Sequence, residues 1–276
     1  MEVFMGIRVL RVCRGTVTLY LDRQIPRSAA ALSYYLTMSL FPLVICLYTL
    51  LGDSYGKMLQ LLELLDRFLS AETTRYVKHF LEYVAKNHSP AMLFAGVTLL
   101  LTSSTSAVHS LQTAIGEMQG GTRYKGLRDF VFSLVFSLAF LAAMYFAILV
   151  MLTGQDFLEL VESYVPVLKI SRSWTWLRFL VLGGIEFVIL WGMYEASLRQ
   201  EDPYSTAPGA IFGTIGIVAM SWVFSVFIAV SARYPLVYGS LASLVLLMFW
   251  LFLCCQIIFL GAALNVAVRD ENRGNR

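Results

Sequence analysis

The chain has 276 residues, of which 58% are hydrophobic and only 14% are charged, and its formal net charge is +3 at pH 7. A soluble globular domain carries about 25% charged residues, so this composition excludes that class of protein. The small net charge gives no argument for a nucleic-acid partner. The composition therefore points to a protein that lies in a membrane.

Six long apolar runs occupy most of the chain. Each is long enough to cross a bilayer, since about 20 apolar residues span a hydrocarbon core about 30 Å thick. The runs are continuous rather than alternating, which favours helices over a membrane β-barrel. We therefore expect one all-α, polytopic membrane domain over residues 1–276. The predicted spans are about 28–51, 91–115, 127–152, 175–198, 208–231 and 237–267.

A basic segment, residues 1–27, precedes the first predicted span. Arg8, Arg11 and Arg14 interrupt what would be the apolar core of a signal peptide, so the segment is not read as one. As a helix it could lie on the membrane surface with its apolar residues on one side. A short basic tail in the cytoplasm fits the sequence equally well.

The first span contains more polar groups than its length requires. Tyr35, Ser39 and Pro42 follow steps of four and three residues, so they share one helical face, with Tyr34 beside them. Pro42 cannot donate a backbone hydrogen bond, which predicts a local loosening of the helix. Polar side chains are costly in lipid, so we expect this face to point towards the interior of the helix bundle.

The loop that follows, residues 52–90, has amphipathic character. Its segments 57–69 and 73–86 place apolar residues at spacings of three and four with polar residues opposite, which is typical of amphipathic helices. Both segments are too short and too charged to cross a membrane. They are expected to lie at the outer interface, or to pack on each other as a small hairpin. Residues 155–165 resemble a third such piece.

The later spans also carry polar groups near the depth of the first span's tyrosines. The second span contains "TSSTSAVHSLQTA", residues 102–114, and the fourth has Glu186 close to the bilayer centre. A carboxylate at that depth is costly and therefore a candidate functional group, although it could also be protonated and structural. Isolated serines and a histidine are more often packing residues. A belt of such groups could line a cavity. The predicted substrate path consists of Tyr34, Tyr35, Ser39, Pro42, His109, Gln112, Glu186 and Asn265.

The distribution of basic residues predicts the orientation. With the N-terminus inside, 12 of the 21 lysines and arginines lie on the inner side and nine on the outer side. Five of the inner 12 precede the first span, where they weigh most, and five of the outer nine lie in one long loop. We therefore expect both termini in the cytoplasm.

Motifs for catalysis or cofactor binding do not occur in the sequence. It has no H-E-x-x-H, no G-x-S-x-G and no phosphate-binding glycine loop ending in Lys and Ser or Thr. The histidines at 79, 88 and 109 are poorly placed to share a metal, and the four cysteines have no metal-ligand spacing. We expect a protein that is not an enzyme and needs no cofactor.

Two segments carry a family resemblance: "AAALSYYLTMSLFPLVICL" in the first span and "YGSLASLVLLMFWLFLCCQIIFLGAALNVAVRD" at the end. They resemble the YihY/BrkB family of bacterial inner-membrane proteins, formerly labelled ribonuclease BN. Asn265 keeps the family pattern. Ala263, Gln112 and Gly116 stand where the family often has an acidic residue, Asp and Asn. The resemblance implies a six-span protein of the bacterial inner membrane, suspected in lipid or envelope-precursor transport.

Three functions fit these observations. The first is a transporter or flippase for a lipid or an amphipathic envelope component, with membrane lipid and a lipid-like substrate as its partners. The second is a non-transporting scaffold or partner subunit, which would form homo-oligomers or bind an envelope protein through its outer helices. The third is an intramembrane enzyme, which would require catalytic groups clustered at one depth. No nucleic acid is expected as a partner of any of them.

Overall fold

The computed structural model describes residues 2–50, 78–79, 82, 89–119, 126–164, 174–197, 206–230 and 240–274. Over these residues the chain forms helices and no strand, which confirms the predicted all-α class. The helices are α1 (Glu2–Asp22), α2 (Ile25–Leu50), α3 (Pro90–Met118), α4 (Leu127–Tyr164), α5 (Trp174–Ser197), α6 (Ala207–Val230) and α7 (Ser240–Gly274).

Four helices of the described part are long and apolar enough to cross a membrane. Their apolar segments are Leu127–Ile148, Phe179–Ser197, Ala207–Phe227 and Val245–Asn272. The predicted spans 28–51 and 91–115 are helical as well, as α2 and α3, but they are not among the four. The structure therefore confirms a multi-pass architecture, while the count of six spans stays a prediction.

Helix α4 is longer than the sequence suggested. The predicted span 127–152 and the separate amphipathic piece 155–165 form one continuous helix of 38 residues. The described part of this helix extends to Tyr164. The prediction of a separate amphipathic piece after the span was therefore wrong. The two segments predicted within 52–90 lie almost entirely outside the described residues.

The core of the bundle is built around α3 and α7. Helix α3 packs against both α2 and α4, while α7 packs against α1, α2 and α6, and α5 joins α4 to α6. Small and branched residues fill the contacts between these helices. Among the buried core residues are Ile25, Ala29, Ala107, Leu111, Ile115, Cys255, Phe259, Ala263 and Val266.

Helix α1 lies along the C-terminal half of α7. Arg11 forms an ion pair with Glu271 at 3.1 Å, and the Tyr20 hydroxyl donates a hydrogen bond to the Gln256 Oε1 atom at 2.9 Å. The chain then turns into α2 through Gln24, whose φ of 49° is in the left-handed region. The basic N-terminal segment is thus a packed helix, and its position relative to a membrane surface stays a prediction.

The crossing of α6 and α7 brings two backbones together. Glycines at positions 209 and 261 face each other, and a Cβ atom on Gly261 would lie 2.6 Å from the Gly209 carbonyl oxygen and 2.8 Å from the Tyr194 hydroxyl. The Asn265 side chain accepts a hydrogen bond from the Gly209 N–H at 2.8 Å and donates to the Thr206 carbonyl at 3.0 Å. Asn265 therefore caps the N-terminus of α6.

The outward faces of the bundle are strongly apolar. Large exposed side chains include Phe94, Val135, Phe146, Leu180, Val188, Ile215, Val218, Trp222 and Val245. A contiguous apolar surface of this kind would be costly in water, but it suits contact with acyl chains. Since the outside is apolar, any polar function has to be located inside the bundle or at its ends.

Candidate functional site

A polar cavity of about 880 Å³ opens between α2 and α4, over a face of α3. The helical periodicity of its lining residues shows that each helix contributes one stripe. The stripe from α2 is Arg27, Ser28, Ala31 and Tyr35; that from α3 is Thr105, Ser106, His109, Ser110, Thr113, Ala114 and Glu117; that from α4 is Asp129, Phe130 and Ser133. The turn between α1 and α2 adds Asp22, Arg23 and Gln24, and Gly126 completes the lining.

The cavity extends from one end of the bundle to the middle of α3. Its lining runs from Glu117, next to the end of the helix at Met118, back to Thr105. These 12 residues correspond to about 18 Å at the helical rise of 1.5 Å per residue. Thr105 lies 15 residues after Pro90 and 13 before Met118, close to the midpoint of α3. A polar group that enters the cavity can therefore reach the depth of the helix centre.

The mouth of the cavity is shaped by two left-handed residues. Gln24, at the corner between α1 and α2, has a φ of 49°, and Gly126, just before α4, has a φ of 62°. Glycine adopts this conformation readily, whereas for a glutamine it costs roughly 1 kcal/mol. The corner at Gln24 directs Arg23 and Arg27 to the same cavity, because the helix turns immediately between them.

A histidine and a carboxylate face each other across the middle of the cavity. His109 Nδ1 lies 3.1 Å from Asp129 Oδ2, with the histidine side chain 55% exposed and the aspartate 16% exposed. Asp129 is in the first turn of α4, and His109 is about two turns from the end of α3. The pair therefore joins α3 to α4 at the cavity wall.

Two hydrogen bonds between α3 and α4 stabilise the cavity wall next to the His109–Asp129 pair. The Ser133 hydroxyl donates to Gln112 Oε1 at 2.8 Å, and the Ser137 hydroxyl donates to the Ser104 hydroxyl oxygen at 2.6 Å. All four side chains are buried. These bonds satisfy the polar atoms of the wall, so Gln112 supports the cavity through Ser133 rather than lining it itself.

Thr105, at the deep end, differs from five other threonines of the helices. Those at positions 16, 18, 37, 98 and 102 donate to the carbonyl four residues earlier in their own helix. Thr105 is 9% exposed, and its hydroxyl has no hydrogen-bond partner in the described structure. A buried hydroxyl without a partner costs about 1–3 kcal/mol, and its oxygen has almost no accessible surface, so a ligand reaches it only after the side chain rotates.

Charged residues of both signs surround the mouth. Asp22, Arg23, Arg27 and Glu117 all line the cavity, yet none of the four has an ion-pair partner among the residues that the structure describes. The two arginines belong to the α1–α2 corner. Glu117 lies near the end of α3, and Asp129 lies in the first turn of α4. The cavity thus carries positive and negative groups on different elements.

Two residues of the predicted path, Tyr35 and His109, line the cavity. Gln112 lies directly behind it. Tyr34 is half-exposed and packs edge to face on Tyr35, with ring centroids 5.7 Å apart. Ser39 and Pro42 are buried, as expected for an inward face, but the Ser39 hydroxyl bonds to its own helix at the Leu36 carbonyl. The first span therefore contributes its N-terminal part to the site.

The structure does not bring Glu186 and Asn265 to this cavity. Glu186, on α5, is partly buried and lies within electrostatic range of Tyr194 and Cys254. Asn265 uses both polar atoms of its amide to cap α6. The predicted polar groups are therefore divided among at least three separate environments.

Several residues of the cavity were not singled out from the sequence. Asp129 carried a usable signal, since an acidic residue in the first turn of a span is uncommon and an inward-facing histidine needs a partner. Arg23 and Arg27 were counted only for orientation, because nothing in the sequence shows that the chain turns at Gln24. Thr105 could not be separated from its serine and threonine neighbours without the hydrogen bonds of the folded chain.

Comparison with known proteins agrees with the membrane architecture. A family model described as virulence factor BrkB matches residues 16–276. A ribonuclease-like protein, YfkH of Bacillus subtilis, is 24% identical over 251 residues, which cover 89% of this chain and 90% of that protein. A UPF0761 membrane protein of Stenotrophomonas maltophilia is 24% identical over 258 residues. One from Vibrio vulnificus is 23% identical over 263 residues.

The alignments differ in how much of each relative they include. This chain spans 58% of the Stenotrophomonas protein and 78% of the Vibrio protein. No solved structure matches the chain. The family model nevertheless covers nearly all of the sequence, including every helix from α2 to α7. The chain is therefore a membrane protein of the BrkB family.

Proposed function

We propose that this protein crosses the bacterial inner membrane six times and moves a lipid or an amphipathic envelope component through the cavity over α3. Six spans require two helices besides the four with long apolar segments in the described part, and α2 and α3 supply them. At 26 and 29 residues they measure about 39 and 44 Å, longer than a hydrocarbon core of about 30 Å.

Helices α2 and α3 place several polar side chains inside the bundle. Their polar side chains are turned towards protein, as for Thr37, Ser104 and Gln112, which are all buried. A helix that meets lipid over only part of its surface does not need an apolar residue at every position. The polar residues therefore support a central location for these two helices in the membrane.

The orientation follows from the predicted positive-inside arrangement. Six spans that alternate in direction place the start of α2, the end of α3 and the start of α4 on the same side as both termini. With the N-terminus in the cytoplasm, the mouth of the cavity opens to the cytoplasmic side. The arginines at the mouth then lie at the level of the inner-leaflet headgroups.

The observation that carries the proposal is a polar cavity that reaches the middle of a bundle whose outer surface is apolar. Its deep end, Thr105, lies close to the midpoint of α3, so a helix centred in the bilayer places it close to the middle of the hydrocarbon core. A polar headgroup could travel along the cavity while its acyl chains stay in the lipid between α2 and α4. The ribonuclease-like name belongs to the Bacillus relative, and we propose transport rather than catalysis for this chain.

Among the predicted path residues, Tyr35 and His109 would contact the headgroup directly, and Gln112 would act by holding Ser133. Glu186 would belong to a later part of the path, because it lies outside the cavity. Thr105, at the deep end, would donate its free hydroxyl to the substrate. Asp129 would fix the orientation of the His109 ring.

The test is lipid movement in reconstituted vesicles. Liposomes with and without the protein would contain acyl-chain-labelled phospholipids, and loss of fluorescence on adding a membrane-impermeant reductant would report the fraction that reaches the outer leaflet. We expect the protein to accelerate this movement. Thr105→Val should lower the rate about tenfold, since a hydrogen bond worth about 1.4 kcal/mol in the transport step is lost.

The matched control is Thr214→Val on α6. The Thr214 hydroxyl is also buried without a partner in the described structure, but Thr214 does not line the cavity. The same chemical change there should leave the rate unchanged. Rates equal to those of protein-free vesicles for every lipid class would overturn the proposal, and equal losses in the two variants would remove Thr105 from the path.

A further inference from the structure

The charges at the cavity mouth indicate which headgroup it takes, an inference that rests on the proposed function. The two guanidinium groups of Arg23 and Arg27 lie at the α1–α2 corner. The carboxylates of Glu117 and Asp129 line the same cavity from other elements, α3 and α4. In the described structure the positive and negative groups do not form ion pairs with each other.

Separated charges of this kind are complementary to a ligand that carries both signs. Two guanidinium groups that line one cavity, from the corner and from the first turn of α2, can bind the oxygens of a single phosphate, because arginine donates hydrogen bonds in a planar fork. Glu117 is exposed and can accept hydrogen bonds from a cation, and Asp129 keeps a second carboxylate oxygen besides the one nearest His109. The cavity volume of about 880 Å³ is within the usual range of ligand sites.

We propose that the cavity recognises a phosphate that carries a primary ammonium group, as in an aminoethyl phosphate headgroup. Arg23 and Arg27 bind the phosphate, while Glu117 and Asp129 accept hydrogen bonds from the ammonium. Asp22, at the same corner as the arginines, keeps the mouth from being uniformly positive and so disfavours ligands that carry only negative charge. A quaternary ammonium lacks the N–H donors and binds more weakly.

The experiment compares three phospholipids that differ only in headgroup. Acyl-chain-labelled lipids with phosphoethanolamine, phosphocholine and phosphoglycerol headgroups keep the headgroup chemistry intact. We expect the phosphoethanolamine lipid to move about tenfold faster than the other two, the equivalent of one charge-assisted hydrogen bond. Equal rates for all three headgroups would overturn this inference and leave the proposed transport in place.

Two substitutions separate the roles of the charges. Arg27→Ala should slow all three lipids, because each has a phosphate, whereas Glu117→Gln should slow only the phosphoethanolamine lipid. Arg14→Ala is the matched control, since Arg14 is an exposed arginine of α1 that does not line this cavity. A Glu117→Gln variant that keeps the headgroup preference would contradict the assigned role.

Recognition of the headgroup can be tested by a binding measurement that does not depend on lipid movement. Soluble O-phosphoethanolamine should raise the thermal unfolding temperature of the detergent-purified wild type, but not that of Arg27→Ala. Stabilisation without lipid movement would support the headgroup site and overturn the proposed transport. If neither stabilisation nor lipid movement were observed, the headgroup site and the transport function would both be overturned. Uptake of soluble phosphoethanolamine into vesicles, without lipid movement, would identify a free phosphate compound as the ligand.

Discussion

Two regions of this bundle use polar side chains in opposite ways. At the crossing of α6 and α7, Asn265 has both polar atoms of its amide bonded, and the backbones meet at Gly209 and Gly261 with no space between them. Over α3, the Thr105 hydroxyl has no hydrogen-bond partner and the charged groups at the cavity mouth have no ion-pair partner among the residues that the structure describes. The contrast shows that similar polar residues in these helices differ in how much of their bonding capacity the described fold uses.

The largest expected loss of stability comes from a substitution at the closely packed crossing of α6 and α7. Gly209→Ala places a Cβ against the Gly261 backbone carbonyl and the Asn265 amide, and a backbone atom cannot move aside. We expect a loss of about 3 kcal/mol in the free energy of unfolding, at the upper end of overpacking effects. Thermal unfolding in detergent, followed by circular dichroism, measures it.

The control for this prediction is Gly184→Ala on α5. A Cβ there meets no atom within 4 Å among the described residues, so the substitution should be neutral or slightly stabilising. Equal unfolding temperatures for the two variants would mean that the α6–α7 crossing is not closely packed.

A smaller effect is expected from removing a bonded amide. Asn265→Ala leaves the Gly209 N–H and the Thr206 carbonyl buried without their partner, which should lower the free energy of unfolding by about 2 kcal/mol. His109→Ala, in the cavity, should cost less than about 0.5 kcal/mol, because His109 is 55% exposed and its ion pair is screened by water. Thermal or denaturant unfolding measures the loss for each variant. Equal losses of unfolding free energy for Asn265→Ala and His109→Ala would contradict the expected difference between the two regions.

The smallest effect on stability should accompany a large effect on transport. Thr113→Trp adds a large side chain to the cavity lining, where space is available, so we expect a change in unfolding free energy within about 0.5 kcal/mol. Lipid movement in vesicles should fall to the protein-free rate. The matched control is Thr98→Trp, at an exposed position of the same helix outside the cavity lining. Unchanged movement with tryptophan at position 113 would exclude the cavity as the path.

The sequence predicted the helices well because their signal is local. The predicted spans 28–51 and 208–231 correspond to α2 at Ile25–Leu50 and α6 at Ala207–Val230. Length and apolar continuity decide where a span begins and ends, and both can be read from a single window of sequence. That Ser39 and Pro42 share one helical face was predictable for the same reason, because helical periodicity alone defines which residues share a face.

Which residues line the cavity was less predictable, because this depends on how the helices pack. Asn265 and His109 are both polar residues in apolar segments, yet one caps α6 and the other lines the cavity. No local pattern distinguishes them, since the difference is set by which neighbouring helix lies opposite. The pairing of His109 with Asp129 likewise needs the register of α3 against α4. Depth could be estimated from the sequence, whereas direction around the helix axis could not.

The length of α4 sets its two ends far apart. Of its 38 residues, the apolar segment Leu127–Ile148 accounts for 22, about 33 Å. The remaining 16 residues continue as the same helix for about 24 Å. This extension therefore lies at the opposite end of α4 from Asp129 and Ser133, the residues that the helix contributes to the cavity.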